Sequence, residues 1–288
     1  MIRRLAVVVA LIILAAIVVH EPNITAEPAA SPLDPAKEDL SRVDYPSQRD
    51  LDWYPRFIRP NDTLESLFGD DWAHVARFNR IDRRHTYPGM TIKVPRDMEV
   101  ARTYSPLPKE HEPARRYAKY ILISLTEQWI GAYERGTLKF SMPAATGKKG
   151  NETPTGLFRI DARDRTHTSS LYQTDDKSAQ YPMDYAMRFF IDKQNVGYWI
   201  HARDLPGKPA SHGCVGLFDE PMQNRMYGTP GRPVLHDSKK LYDWAVGEAD
   251  FGPDSGTLEL IGNGPVVEVV GENPAYQPAP LRPMVATR

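Results

Sequence analysis

The sequence predicts a mainly β protein, a β-sandwich or open barrel with peripheral helices, preceded by a small α+β module. Three observations predict this fold class. Apolar, β-rich segments follow one another at 119–125, 129–133 and 138–145, and residues 134–137 form a turn signal between the last two. Helical patterns in this half of the chain are few and late. A final β-rich segment at 266–270 completes an arrangement in which sheets supply most of the core.

The N-terminal residues 1–26 have the composition of a targeting segment. Arg3 and Arg4 form a positive start, and residues 5–19 are an unbroken apolar run. At about 1.5 Å per residue this run is shorter than a hydrocarbon core of about 30 Å, so a cleaved signal peptide is favoured over a membrane anchor. In either case the basic start predicts that the folded part lies in the periplasm or cell envelope and meets the membrane only through this segment.

Composition limits the remaining function classes. The chain has 288 residues and 41% hydrophobic content, enough for more than one module, and its net charge of −1 gives no electrostatic case for nucleic acid. Its 26 prolines occur in clusters, which predict linkers and a loose tail. The predicted organisation is a targeting segment, a linker, a small module, a second linker, a main domain and a flexible tail, at 1–26, 27–52, 53–97, 98–117, 118–272 and 273–288.

A strand, two helices and a second strand are predicted within the small module. Asp62 and Thr63 are capping residues before the first helix, and a turn at 87–90 leads into a short alternating strand at 91–95. This order resembles a LysM module, a family that binds glycans of the N-acetylglucosamine type, including peptidoglycan. The residue before Asp-Thr is Asn61, where the family usually has glycine. A packing module that binds no glycan is the alternative interpretation.

Cys214 is the only cysteine of the chain, and His201 and His212 lie near it in sequence. A lone cysteine forms no internal disulfide, so it is either a buried apolar residue or a reactive thiol. Gly213 allows close approach of the backbone, and either histidine could assist ionisation of the thiol. A metal site formed by the two histidines and the cysteine is a third interpretation, although the spacing matches no known zinc pattern.

The segment 211–215, Ser-His-Gly-Cys-Val, follows a strand that ends in His201, and together they resemble the signature of the L,D-transpeptidase catalytic domain, also called YkuD. Segments 146–148 and 153–158 resemble the family's TGK and TPxGxF motifs. The resemblance implies a β fold of L,D-transpeptidase type and a peptidoglycan enzyme that needs no cofactor or metal. Cys214 would attack the carbonyl of the third residue of a stem tetrapeptide, release D-alanine and form a thioester.

The acceptor of the acyl group stays open at this point. The side chain of a second stem would give a cross-link, a lysine of an envelope protein would give an anchor, and water would give carboxypeptidase activity. Two other interpretations are a purely hydrolytic L,D-carboxypeptidase or amidase and a noncatalytic envelope protein, although the intact Ser-His-Gly-Cys argues against the last. The expected partners are peptidoglycan stem peptides and glycan, with an envelope protein as a further acceptor.

Attack on a peptide carbonyl needs a nucleophile, a base, a group that orients the base and donors for the oxyanion. Cys214 is the predicted nucleophile, and His201 is the predicted base because it ends an apolar strand that can hold it rigidly. By similarity to the family, the backbone carbonyl of Ala202 orients this base. The N–H groups of Gly213 and Cys214 are the expected oxyanion donors, with His212 beside them in a positioning role.

Other residues are weaker predictions for substrate contact. Ser211 either orients His212 by a hydrogen bond or is a turn residue. Tyr185 and Met187 lie on a segment that approaches the substrate in the family, and a core role suits them equally well.

Gly216 departs from the family pattern, which commonly has arginine two residues after the cysteine as a substrate-carboxylate contact. If such a contact is used here, we expect Arg203, Lys208 or Arg188 to supply it.

Overall fold

Two five-stranded β-sheets form the larger part of the molecule, and a smaller α+β module precedes them in the chain. The computed structural model describes residues 38–174, 177–247 and 258–276, all within one compact unit that spans Leu33–Arg288. The predicted targeting segment and the end of the predicted tail, 277–288, lie outside the described residues. Within the described ranges, no helix has the length and hydrophobicity needed to cross a membrane.

The strands, in chain order, are β1 Val43–Asp44, β2 Trp53–Phe57, β3 Thr91–Pro95, β4 Tyr120–Ser124, β5 Trp129–Glu134, β6 Thr137–Pro143, β7 Gly156–Arg159, β8 Ala162–Gln173, β9 Gln180–Ile191, β10 Gly197–Arg203, β11 Val215–Phe218, β12 Glu259–Leu260, β13 Val266–Val270 and β14 Ala275–Tyr276. The α-helices are α1 Leu64–Phe68, α2 Trp72–Asn79, α3 Met98–Thr103, α4 Glu220–Tyr227 and α5 Asp237–Val246.

The two large sheets share one apolar core. Their strand orders are β6-β5-β4-β13-β7 and β11-β10-β9-β8-β12. Alternation along β4 places Ile121 and Ile123 in the shared core, whereas Tyr120 and Leu122 pack into a second cluster with Trp129 on the other face. Helix α5 adds apolar side chains to the shared core. The prediction of a mainly β sandwich with peripheral helices is confirmed.

Strands β10 and β11 are parallel, although the other pairs of their sheet are antiparallel. Ile200 pairs with Val215, and His201 pairs with Gly216. A parallel pair needs a connection that returns the chain to the same end of the sheet, and residues 204–214 provide it. Because this connection ends at Cys214, the topology brings the predicted nucleophile beside the strand that carries the predicted base.

The module at 53–97 has the predicted order of strand, two helices and strand. β2 and β3 pair in antiparallel register, with α1 and α2 between them in sequence. Thr63 caps α1, because its side chain accepts from the Ser66 N–H while the Ser66 hydroxyl accepts from the Thr63 N–H. The module packs directly onto the two-sheet region: the Asp82 N–H donates to Leu205 O at 2.9 Å, and the Asp82 carboxylate accepts from the Leu205 N–H at 2.7 Å.

The described parts of both predicted linkers are packed against their neighbours. Leu40, Val43 and Tyr45, from the first, lie in the core of the module. The second, 98–117, contains α3 and buries Leu107 in the cluster beside Trp129. These segments therefore differ from the loose spacers that proline content predicts, because they contain helical turns and bury apolar side chains.

Candidate active site

A pocket of about 380 Å³ is lined by residues of β8, β9, β10 and the loop before β11. Its wall includes Cys214, His201, His212 and Ser211. The structure thus brings together the catalytic residues predicted from the sequence. Cys214 is a free cysteine of intermediate exposure, and it also packs against the small apolar cluster that contains Trp199.

Hydrogen bonds within the loop fix the backbone on either side of the thiol. The Ser211 hydroxyl accepts from the Gly213 N–H at 3.0 Å and donates to the Cys214 carbonyl. Thr153 Oγ1 donates to the Gly213 carbonyl at 2.8 Å. Ser211 is therefore a turn residue, as one of its two predicted roles required. The Gly213 N–H is already used, which corrects the expectation that it faces an oxyanion; the amide of Cys214 has no acceptor among the described residues.

Glycine is required at position 213 for two reasons. Its φ of 119° lies in a region that L side chains rarely adopt. A Cβ atom there would also come within 2.6 Å of Tyr198 Cε1 in the pocket wall. The tight turn before Cys214 therefore depends on the absence of a side chain.

Residues 146–148 hold the same loop from its other side. The N–H groups of Ala210 and Ser211 both donate to Thr146 O at 3.0 Å, and the Lys148 N–H donates to Ser211 O at 2.9 Å. A Cβ atom on Gly147 would lie 2.0 Å from Asn151 O, so only glycine fits. The segments that resemble the TGK and TPxGxF motifs thus act by positioning the backbone of the nucleophile loop.

His201 has the tautomer that a general base requires. It is 3% exposed, and its Nδ1 lies 2.6 Å from the Ala202 carbonyl oxygen. Because a carbonyl only accepts, Nδ1 carries the proton and Nε2 keeps a free lone pair. Burial lowers the pKa of His201 to about 3, although the bond to Ala202 opposes the shift. The imidazole is therefore neutral near pH 7.

The thiol beside it is also uncharged at rest. Burial raises the pKa of Cys214 to about 11, against the opposing effects of a backbone bond from Trp199 and the positive charge of Arg203. A neutral thiol and a neutral imidazole share the pocket, in place of a preformed thiolate and imidazolium.

His212 is exposed and belongs to a different environment. Its ring stacks on Tyr172 at the end of β8, with ring centroids 4.3 Å apart and an interplanar angle of 16°. Burial and the nearby charges of Lys148 and Arg203 lower the pKa of His212. This contact with the β8–β9 hairpin suits a positioning role better than that of the base.

Three weaker predictions lie away from the pocket lining. Met187 is buried in the shared core, and Tyr185 contacts the rings of His236 and Tyr242. Arg188 donates from Nε to Asp161 at 2.8 Å. Tyr185 has a φ of 56°, a left-handed conformation that interrupts side-chain alternation along β9. Simple alternation from the pocket residue Met183 therefore fails to predict which later side chains face the pocket.

Sequence reasoning missed two aromatic residues and a histidine of the pocket wall. Trp199 lines the pocket and stacks on His167 with centroids 4.4 Å apart. The Nδ1 of His167 lies 2.9 Å from Asp164 Oδ2. Tyr172 gave no signal of its own, because its contact with His212 depends on how the hairpin curves. The three-residue spacing of Asp164 and His167 was the one available clue.

In the described part of the chain, no group of three or more His, Cys, Asp or Glu side chains is arranged to hold a metal ion.

Comparison with known proteins identifies the family of this chain. The model of the L,D-transpeptidase catalytic domain family, YkuD, matches residues 118–267, and the chain belongs to this family. No curated protein sequence matches the chain significantly.

Solved L,D-transpeptidase structures are similar to this chain at low sequence identity. One from Stackebrandtia nassauensis has 22% identity and a TM-score of 0.42, covering 73% of this chain and 88% of that one. L,D-transpeptidase 1 of Mycobacterium tuberculosis has 20% identity and a TM-score of 0.33, covering 54% and 62%. An L,D-transpeptidase from Mycobacterium smegmatis has 14% identity and a TM-score of 0.35, covering 54% and 59%. This chain therefore spans about three fifths of the mycobacterial structures it matches.

Proposed function

We propose that this protein is a peptidoglycan L,D-transpeptidase of the cell envelope, with Cys214 as its acyl carrier. The observation that carries the proposal is the state of His201: its Nδ1 proton is committed to Ala202 O, so Nε2 is available as a base in the pocket that holds the only thiol. Family membership and the Ser-His-Gly-Cys loop support the same chemistry.

In the first half of the reaction, Cys214 Sγ attacks the carbonyl carbon of the third residue of a stem tetrapeptide. His201 Nε2 takes the thiol proton as the S–C bond forms. The Cys214 N–H donates to the developing oxyanion. When the tetrahedral intermediate collapses, the C–N bond to the terminal D-alanine breaks and His201 returns the proton to the leaving nitrogen. A thioester and free D-alanine result.

In the second half, an amine attacks the thioester carbon and the Cys214 sulfur leaves. His201 accepts the proton from the amine nitrogen and returns it to the sulfur, so the enzyme is regenerated without any net change in oxidation state. The side chain of a second stem gives a cross-link, and a lysine of an envelope protein gives an anchored protein. Water in the same position gives hydrolysis.

The N-terminal parts of the chain have supporting roles in this proposal. Residues 1–26 export the protein or anchor it, and the LysM-like module at 53–97 binds glycan and so raises the local concentration of stem peptides. Because the module is joined to the sheets by buried polar contacts such as those of Asp82, retention on peptidoglycan sacculi should be measured with the whole folded protein. Failure of the Cys214→Ala protein to bind sacculi would remove the glycan-binding role.

Mass spectrometry of muropeptides after incubation with the purified protein tests the reaction. The expected product is a donor stem shortened to a tripeptide and joined through its third residue to the third-residue side chain of a second stem. Free tripeptide as the sole product would mean that the enzyme hydrolyses its substrate and does not transfer the acyl group. No change in the muropeptides would leave only a binding role.

Variants test the assignment of nucleophile and base. Cys214→Ala should form no covalent adduct with a carbapenem, and an adduct on this variant would move the nucleophile elsewhere. His201→Ala should slow acylation by about a hundredfold or more, as expected for loss of a general base, and far more than His212→Ala does. The reverse order would assign the base to His212.

A further inference from the structure

We propose that Arg203 is a substrate-binding residue of this site and that its guanidinium binds a carboxylate of the donor stem peptide. This inference rests on the proposed function, because it takes a stem peptide as the ligand. It is carried by the position of the Arg203 side chain over Gly216 and by the lack of any carboxylate partner for it among the described residues.

The Arg203 side chain occupies the space that a side chain at position 216 would need. Arg203 and His201 are two residues apart on β10 and share a face, and His201 is the register partner of Gly216 on β11. A Cβ atom on Gly216 would lie 2.4 Å from Arg203 Cδ and 2.5 Å from Arg203 Cβ. The stem of the arginine thus crosses the bare backbone two residues after Cys214 and brings its charged end to the pocket wall.

The guanidinium has unused hydrogen-bonding capacity. One terminal nitrogen donates to Ala210 O at 3.2 Å, whereas the buried Nε has no hydrogen-bond partner within the described residues. Among the described residues, no Asp or Glu oxygen lies within ion-pair distance of the Arg203 guanidinium. A buried donor without a partner destabilises the free protein. A carboxylate bound in the pocket would gain a charge-assisted bond from the terminal nitrogens of the guanidinium.

The other two candidate cations are already paired. Arg188 Nε lies 2.8 Å from Asp161 Oδ1 and is absent from the pocket lining. Lys208 Nζ lies 2.6 Å from Glu38 Oε1. Of the three residues that could replace an arginine at position 216, only Arg203 both lines the pocket and lacks an acidic partner among the described residues.

A stem peptide cut before its terminal D-alanine offers two carboxylates near the scissile bond. One is the C-terminal carboxylate of the leaving D-alanine, and the other is on the side chain of a diamino acid of the dicarboxylic type. Both present the same two oxygens to a guanidinium, so the shared chemistry is a carboxylate within reach of the Cys214 pocket. Peptides amidated at one position or the other distinguish the two sources.

Binding in a Cys214→Ala background tests the proposal without requiring catalysis. Calorimetry would compare the tetrapeptide, its C-terminal amide and its side-chain amide for Cys214→Ala and for Cys214→Ala with Arg203→Gln. We expect Arg203→Gln to weaken binding of the tetrapeptide by about tenfold or more, as for loss of a charge-assisted hydrogen bond. Amidation of the contacted carboxylate should weaken binding to the Cys214→Ala protein by the same factor. It should not weaken binding further in the protein that also carries Arg203→Gln, as in a double-mutant cycle.

Two controls separate charge recognition from misfolding. Arg203→Lys keeps the charge and should retain part of the affinity, whereas Lys208→Gln removes a cation of the same loop region that is paired with Glu38 and should leave affinity unchanged. The proposal is overturned if Arg203→Gln binds all three peptides as its parent does, if it weakens all three equally, or if the Cys214→Ala protein binds none of them. Absence of a thioester in the wild-type enzyme, with binding still dependent on Arg203, would instead reject the proposed reaction alone.

Discussion

Buried and partly buried arginines lie in two regions of this molecule, and they are paired differently in the two. Where the N-terminal module meets the sheets, Arg83 donates to both carboxylate oxygens of Glu220 at 2.7 and 2.6 Å. Arg80, which is fully buried there, donates to the carbonyls of Phe78 and Glu127. In the catalytic pocket, Arg203 leaves its buried Nε without a partner among the described residues. The arginines of the interface are used in contacts that hold the fold together, whereas the pocket arginine remains available to a ligand.

The difference follows from what each region must do. A buried charge that is fully paired stabilises one arrangement of the chain, and removing its partner leaves an uncompensated charge. A buried charge that is incompletely paired destabilises the free protein slightly, and a ligand that supplies the missing partner binds more tightly. The contrast therefore assigns a structural role to the interface and a recognition role to the pocket.

The interface between the module and the sheets also includes residues 204–214, the connection between β10 and β11. Arg84 pairs with Asp204 at 2.8 Å, directly after Arg203, and the Gly207 N–H donates to Arg80 O at 2.9 Å. The module thus holds the connection between the base and the nucleophile. It therefore supports the backbone of the candidate active site as well as being a candidate for glycan binding.

The largest effect is expected from breaking the best-paired interface contact. Glu220 is fully buried and also accepts from the N–H groups of Val234 and Leu235. Glu220→Ala should lower the free energy of unfolding by about 3–5 kcal/mol, because it leaves two backbone donors without their acceptor and leaves Arg83 with the partly exposed Glu65 as its remaining ionic partner. Urea denaturation followed by tryptophan fluorescence measures the change. A loss below about 1 kcal/mol would mean that these buried charges are more hydrated than the structure indicates.

Much of this arrangement follows from local sequence signals. The order of strands and helices, the Thr63 cap and the joint position of His201 and Cys214 depend on hydrophobic patterning, turn chemistry and motif spacing, all of which are local. The resemblance to the catalytic domain family added the role of Ala202 and drew attention to the Thr146-Gly147-Lys148 segment, which the structure shows holding the loop before Cys214.

What sequence reasoning missed depends on pairs that are distant along the chain. The burial of Asp82 against Leu205 and the pairing of Lys208 with Glu38 join residues more than a hundred positions apart, so no local pattern indicates them. Arg203 could be named as a candidate only because Gly216 broke a pattern. Its selection over Arg188 required the knowledge that Asp161 neutralises the latter.

A smaller effect is expected from loosening the catalytic loop at Asp82. Its carboxylate accepts from the Leu205 N–H, from Gln223 Nε2 and from the His85 N–H. Asp82→Ala should slow carbapenem acylation by about tenfold or more, because displacement of the loop disturbs the approach of the thiol. Alkylation by iodoacetamide, which needs only an accessible thiol, should change much less. Equal decreases in the rates of acylation and alkylation would mean that Asp82→Ala changes the exposure of Cys214 rather than the alignment of its thiol.

The charge on Arg203 should also be visible in the pH dependence of thiol reactivity. With the pKa of Cys214 at about 11 and that of His201 at about 3, the alkylation rate should keep rising with pH above 9 instead of reaching a plateau near neutrality. Arg203 lowers the pKa of Cys214, so Arg203→Gln should move the rise to higher pH and reduce the rate at pH 8 by about two- to fivefold. A plateau below pH 7 in the wild-type protein would indicate a thiolate–imidazolium pair and contradict the neutral resting state.

The smallest effect is expected from an arginine that is paired but exposed. Arg96, near the end of the module, has its Nε 3.1 Å from Oδ1 of Asp52, the residue before the module, and the two side chains are 62% and 77% exposed. Asp52→Ala should change the free energy of unfolding by less than about 0.5 kcal/mol, because water and salt screen the pair. The same urea titration used for Glu220→Ala measures it. Similar losses of stability in the two variants would mean that pairing alone sets the strength of these contacts. The expected difference would mean that burial sets it. For the same reason, a guanidinium without an acidic partner matters in the pocket and would matter little at the surface.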